Sequence, residues 1–181
     1  MNTLPALSPG RLVLLTLPQT QSQDITHHLI AHLALSGPVR VLEGGNVFAA
    51  FYLARLIRRQ TAQLGEVLTR IALARAFTCY QMVALLSQTC TAASPCFVLN
   101  LLTTFYDESV TQQDSERLLN LAIEHLLRLR EHAQVVVSVS PPPQKYAARA
   151  ALITALEAIA DETLAPPPRI YKPRQPRLFL S

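Results

Sequence analysis

Charge is scarce in this chain, and apolar runs of membrane length are absent. Only 15% of its 181 residues are Asp, Glu, Lys or Arg, and half are apolar. That balance excludes a disordered polyelectrolyte and suits a chain with a packed interior, of a length that fits one domain. No apolar stretch reaches the ~18 residues that a membrane-crossing helix needs. Residues 1–10 show no basic stretch followed by a long apolar block, so no secretory signal is expected and an intracellular setting, cytoplasmic or nuclear, follows. Cysteine is limited to Cys79, Cys90 and Cys96, with no C-x-x-C pair, which predicts free thiols in a reducing compartment. Lysine is nearly missing: Lys145 and Lys172 are the only two among sixteen basic residues. Arginine supplies the rest, and its planar fork suits phosphate and carboxylate. Codon bias in a GC-rich genome produces the same enrichment.

The residues that are present alternate between strand-like and helix-like patterns. Residues 11–17 (RLVLLTL) form a continuous apolar run of strand length, the pattern of a strand covered on both faces. Residues 18–24 (PQTQSQD) read as a polar loop, with Asp24 or Thr26 capping a helix that runs to Leu35 and stops at Ser36-Gly37-Pro38. A second strand covers 39–42, and a long helix with a basic patch at Arg55, Arg58 and Arg59 covers 47–63. The segment 67–76 suits helix or strand equally. Helix is expected over 80–88, a buried strand over 96–104, and an amphipathic helix over 113–131, where Leu118, Leu119, Ala122, Leu126, Leu127 and Leu129 recur near helical spacing. Residues 135–140 (VVVSVS) are the clearest strand, stopped by three prolines. A helix over 144–159 and a basic tail with short strand-like pieces at 169–171 and 178–180 complete the chain. Strands alternating with helices predict an α/β fold with a mostly parallel sheet flanked by helices.

Four segments carry a more specific likeness. Leu42-Glu43-Gly44-Gly45-Asn46-Val47-Phe48 resembles an I-D-T-E-N-T-F segment, and Ala72-Leu73-Ala74-Arg75-Ala76-Phe77 resembles Y-A-R-A-F, with Gln81 near a glutamine found a few residues later. Phe97-Val98-Leu99-Asn100, followed by Phe105-Tyr106, resembles the hydrophobic strand of a Walker B motif. Residues 118–139 resemble a leucine-rich helix leading into a V-V-V strand. In this order, over about 11–143, the set resembles the core of the RecA recombinase superfamily, in particular its archaeal and eukaryotic branch. The resemblance implies a single RecA-like domain over 1–181, with its core at 11–143 and a helix and basic tail at 144–181.

The departures from that family concern nucleotide. A phosphate loop needs G-x-x-x-x-G-K-[ST], so that backbone amides wrap the phosphates and lysine neutralises them. The equivalent residues 18–26 hold no glycine and no lysine, and Asp24 would repel a triphosphate. The Walker B aspartate aligns with Asn100, which lacks the charge, and the glutamate that polarises water aligns with Gly45. The site reads as a degenerate one, ATP hydrolysis by the family mechanism is not expected, and no cofactor is implied. Glu43, at the end of its strand, is a candidate substitute base or a capping residue.

The family also carries DNA-contacting loops after the strands that match 96–104 and 135–140. The second such loop here offers Lys145 and Arg149 for phosphates and Tyr146 for stacking; the tail adds Arg169, Tyr171, Lys172, Arg174 and Arg177. Basic residues interleaved with tyrosine suit single-stranded DNA, whereas lysine, arginine and proline at a sheet edge also block unwanted pairing. The first loop brings Asp107 and Glu108, which repel phosphate. Residues 1–10 match neither the helical DNA-binding domain nor the polymerisation segment of larger family members, so assembly into a long filament is not expected. His28 and His32 have i, i+4 spacing, but no glutamate of an H-E-x-x-H motif lies between them, and neither Ser138 nor Ser140 sits in a G-x-S-x-G turn. His27 and His132 read as helix surface. Two functions are expected to compete: a non-catalytic accessory protein of recombination or repair that binds DNA, a recombinase or both, and a protein-interaction subunit of an active RecA-like ATPase with no DNA contact.

Overall fold

The computed structural model describes residues 10–166. Largely apolar segments of four or five residues form the strands β1 (Leu12–Leu15), β2 (Val39–Glu43), β3 (Ile71–Arg75), β4 (Cys96–Leu99) and β5 (Val135–Ser138), and a short β6 (Glu162–Leu164) follows. All pair in parallel, in the order β3-β2-β4-β5-β1-β6. β1, β4 and β5 are buried throughout, as unbroken apolar strands covered on both faces must be.

Side chains alternate across the sheet and sort the helices into two layers. Val13, Leu15, Val41, Phe97, Leu99 and Val136 point to one face, against α1 (Gln19–Ser36), α2 (Ala50–Arg58) and α3 (Leu64–Thr69). Leu12, Leu14, Leu42, Val98, Val135 and Val137 point to the other, against α4 (Cys79–Gln88), α5 (Gln112–Arg130) and α6 (Ala151–Glu157). α5 buries Leu118, Leu119, Ala122, Leu126 and Leu129 of the stripe its periodicity foretold, while Leu127 is only half-buried. Its start is capped by Thr111, whose hydroxyl oxygen accepts from the Asp114 amide at 3.0 Å. α4 is capped the same way by Thr78, and Gln81 reaches back to accept from the Phe77 amide at 2.8 Å. Capping is thus the role the structure gives Gln81.

Several elements differ from expectation. The ambiguous segment 67–76 divides, its first residues closing α3 and its last forming β3. The long helix expected over 47–63 is the shorter α2, and the strand expected over 96–104 ends at Leu99, where a 3-10 turn (Leu101–Tyr106) takes over. The helix over 144–159 opens as a 3-10 turn, Gln144–Ala150, before α6. The sheet also continues beyond residue 143, because β6 adds to β1 at the far edge.

The chain leaves β1 and β2 toward the first helical layer, and leaves β4 and β5 toward the second. Neighbouring strands β2/β4 and β5/β1 therefore part at their carboxyl ends, the place where open α/β sheets form crevices. Among the described residues no helix is long and apolar enough to cross a membrane.

Candidate functional site

The segment expected to be a polar loop after β1 is helix. Only Thr16, Leu17 and Pro18 separate β1 from α1, which starts at Gln19. Pro18 presets the entry angle, its carbonyl accepts from the amides of Gln21 and Ser22, and the Ser22 hydroxyl donates to the Leu17 carbonyl at 3.2 Å. A backbone wound into helix this early offers no run of free amides to wrap a phosphate. The space between α1 and the ends of β4 and β5, lined by Gln19, Gln23, His27, Asn100 and Ser138 among others, encloses about 10 Å³. That is room for one water at most.

Side chains close this region from several sides. Gln23 Nε2 donates to the Val47 carbonyl. His27, fully buried rather than on the helix surface, donates from Nδ1 to the Gln23 carbonyl at 2.6 Å and accepts at Nε2 from the Ala49 amide at 3.0 Å. Burial lowers the pKa of its imidazole, against the opposing pull of the Gln23 carbonyl and of Glu43 and Asp24. Asp24 lies on the exterior, where it accepts from the Tyr52 hydroxyl, with His28 Nε2 3.6 Å away.

Asn100 ends β4 with φ of +53°, a left-handed conformation that asparagine tolerates better than most residues. Its amide donates to Ser138 Oγ at 3.0 Å, and its Oδ1 accepts from Ser140 Oγ at 2.8 Å, so it ties the end of β4 to the end of β5. Gly45 packs directly on it: a Cβ added there would lie 2.8 Å from Asn100 Nδ2. Glu43 is fully buried, accepting from the Phe48 amide at 2.6 Å and from Arg75 Nε at 2.7 Å across the β2/β3 pair. It closes the turn after its strand, and both its oxygens are engaged.

On the α4/α5 side of these strand ends lies an open cleft of about 660 Å³. The turns after β2, β3, β4 and β5 line it, with Gly44–Asn46 and Phe77 on one flank and Tyr106, Glu108, Lys145 and Tyr146 on the other. Phe77 is 72% exposed. The Tyr106 hydroxyl donates to the Ser140 carbonyl at 3.0 Å, and burial raises the pKa of its phenol. Lys145 Nζ approaches Glu108 Oε2 at 3.2 Å and sits 4.7 Å over the Tyr146 ring; its pKa is raised, first by the Tyr146 hydroxyl and then by Glu108.

Of the DNA-contacting residues foreseen in the sequence, Lys145 and Tyr146 line the cleft together, and Gly45 lines it from the other flank. Arg149 turns inward: it is 8% exposed and donates to the carbonyls of Phe105 at 2.6 Å, of Asp107 at 2.9 Å, and of Val110. Its guanidinium fixes the 105–110 loop and stacks 4.8 Å from the Tyr146 ring. Arg169, Tyr171, Lys172, Arg174 and Arg177 lie outside the described residues. Phe77 and Tyr106 were not foreseen as site residues; their position just past the ends of β3 and β4 is the signal that an alternating α/β pattern contains. Cys79 and Cys96 are buried thiols, the latter with a pKa pushed up to about 12 by burial, and Cys90 is exposed. Among the described residues no group of three metal-ligating side chains converges. No protein-family model matches the chain, and no curated protein matches it.

Proposed function

We propose that this chain is a RecA-like accessory protein of homologous recombination or DNA repair that holds single-stranded DNA, a recombinase partner or both, without hydrolysing a nucleotide. One observation carries the reading. A cleft of about 660 Å³ opens between the turns that follow β2, β3, β4 and β5, with Lys145, Tyr146 and Phe77 on its walls, while the space beside the start of α1 is packed shut. Lysine supplies charge for a phosphate and the two rings supply stacking faces for bases. Glu108 neutralises Lys145 in the free protein, so a bound strand must displace that contact.

The test is fluorescence anisotropy with labelled single-stranded and double-stranded oligonucleotides at two salt concentrations, with and without ATP and magnesium. Binding of single strands that weakens with salt, ignores ATP, and falls several-fold on Lys145→Ala and on Tyr146→Ala is the expected result. Absence of binding by folded protein at low salt would sink the DNA role.

A second reading, a protein-interaction subunit of an active relative, rests on the edge strand β3. Leu73 there is 42% exposed, with Leu68 and Phe77 also open to solvent, and β3 pairs only with β2 among the described residues. Of the apolar residues on α2, Phe51 is exposed, whereas Leu53 and Leu56 are buried. An uncovered apolar edge is a template for strand addition. Sedimentation of the protein alone is expected to show self-association that Leu73→Lys abolishes; a monomer at all concentrations counts against self-pairing at this edge.

A further inference from the structure

We propose that the exposed face of α2 and its C-terminal cap, made of Phe51, Arg55, Arg58 and Arg59, is a second contact surface for single-stranded nucleic acid, outside the cleft. Arg40, Arg70, Arg128 and Arg149 donate to backbone carbonyls, and Arg75, Arg117, Arg130 and Lys145 face carboxylates. Among the described residues this leaves Arg11, Arg55, Arg58 and Arg59 with no bonded partner. Residues 1–9 and 167–181 contain no Asp or Glu, so no side-chain carboxylate from those segments can neutralise them. The nearby Asp24 is engaged by the Tyr52 hydroxyl, and Arg55 stacks 5.7 Å over the Tyr52 ring, which holds its guanidinium at the surface.

Spacing places all four side chains on one side of the helix. Positions 51, 55, 58 and 59 follow the i, i+4, i+7, i+8 pattern, with about 6 Å of rise between Phe51 and Arg55 and about 12 Å between Phe51 and Arg59. The opposite face, Leu53, Leu56 and Ile57, is buried in the core. Arginines in a last turn are favoured by the helix dipole alone, which accounts for Arg55 and Arg58. It does not account for a phenylalanine that is 95% exposed one turn earlier. An aromatic ring followed by guanidinium forks along one axis is the combination that stacks a base and then tracks a phosphate backbone. A lipid surface fits less well, because interfacial helices bury a continuous apolar face and that of α2 already faces the sheet. Phe51 stands five residues beyond Asn46, which lines the cleft.

The experiment measures anisotropy of a fluorescein-labelled oligothymidylate across a salt series, using the full chain and its variants. Combined Arg55→Ala, Arg58→Ala and Arg59→Ala is expected to lower affinity at least tenfold at low salt. It should also reduce the slope of log K against log salt by about 2, the value for three lost phosphate contacts to a single strand. Phe51→Ala is expected to weaken binding about fivefold or more with the slope unchanged. All four residues are exposed, and unaltered thermal unfolding checks that each variant is folded. A triple variant with wild-type affinity and slope would overturn the proposal, as would binding to phosphatidylserine vesicles in place of the oligonucleotide. Loss of binding on Lys145→Ala with none on the α2 substitutions overturns this surface alone; the converse overturns only the cleft, and a wild-type chain that binds no oligonucleotide overturns both.

Discussion

Asn100 and Gly45 fit each other so closely that Gly45 cannot take a side chain without cost. The Gly45 Cα faces the Asn100 side chain, and even a Cβ would come within 3.0 Å of Asn100 Cβ as well as 2.8 Å of Nδ2. Gly45→Glu is therefore expected to destabilise the fold by about 1–3 kcal/mol through overpacking, read as a lower midpoint in urea with an unchanged slope. Wild-type stability in that variant would mean that the turn after β2 yields more readily than the contacts imply. The Asn100 amide and carboxamide bonds to Ser138 and Ser140 give the residue a structural purpose in its present form. The sequence showed an amide at position 100 and a glycine at position 45, but not that the two residues touch.

At the scale of elements, two side chains join parts of the chain that sequence patterns treat separately. His27 pins α2 to α1 through the Ala49 amide, which its Nε2 can accept only while that nitrogen is unprotonated. Its folded pKa lies below the ordinary value, so as pH falls past ~6.5 the unfolded chain takes up the proton first. Stability from this group is complete above that point and declines below it, at no more than about 1.4 kcal/mol per pH unit. The melting temperature is expected to drop between pH 7 and pH 5, and His27→Gln to flatten that drop; an equal slope in both proteins would remove His27 as the cause. Arg149 does for the 105–110 loop what His27 does for α2. Arg149→Ala leaves buried carbonyls without a donor and is expected to cost about 2–4 kcal/mol in chemical denaturation, whereas Lys145→Ala, at an exposed ion pair, should cost under ~1 kcal/mol. Equal effects of the two would show that the inward geometry of Arg149 contributes nothing. An arginine beside a lysine and a tyrosine reads as a phosphate contact in sequence because composition does not say which way a side chain turns. The extended helix of α1 was likewise hidden, since glutamine, serine and threonine occur in polar loops and in solvent-facing first turns alike.

For the whole molecule, the hydrophobic pattern was enough to determine an α/β chain with a parallel sheet covered on both faces. Unbroken apolar runs such as those of β1 and β5 can be satisfied only when helices cover them on each side, and the stripe of α5 leaves one face to bury. That residues 18–26 hold no glycine and no lysine was equally legible. Only the tertiary structure decided the strand order, which brings the ends of β2, β3, β4 and β5 around one cleft. It also recruited β6 to the edge beyond β1, turned Arg149 inward, and left the arginines of α2 facing solvent. The physical reason is that periodicity records whether a residue is buried. Which neighbour it meets there, and whether its charge finds a partner, depends on contacts between segments far apart in the chain.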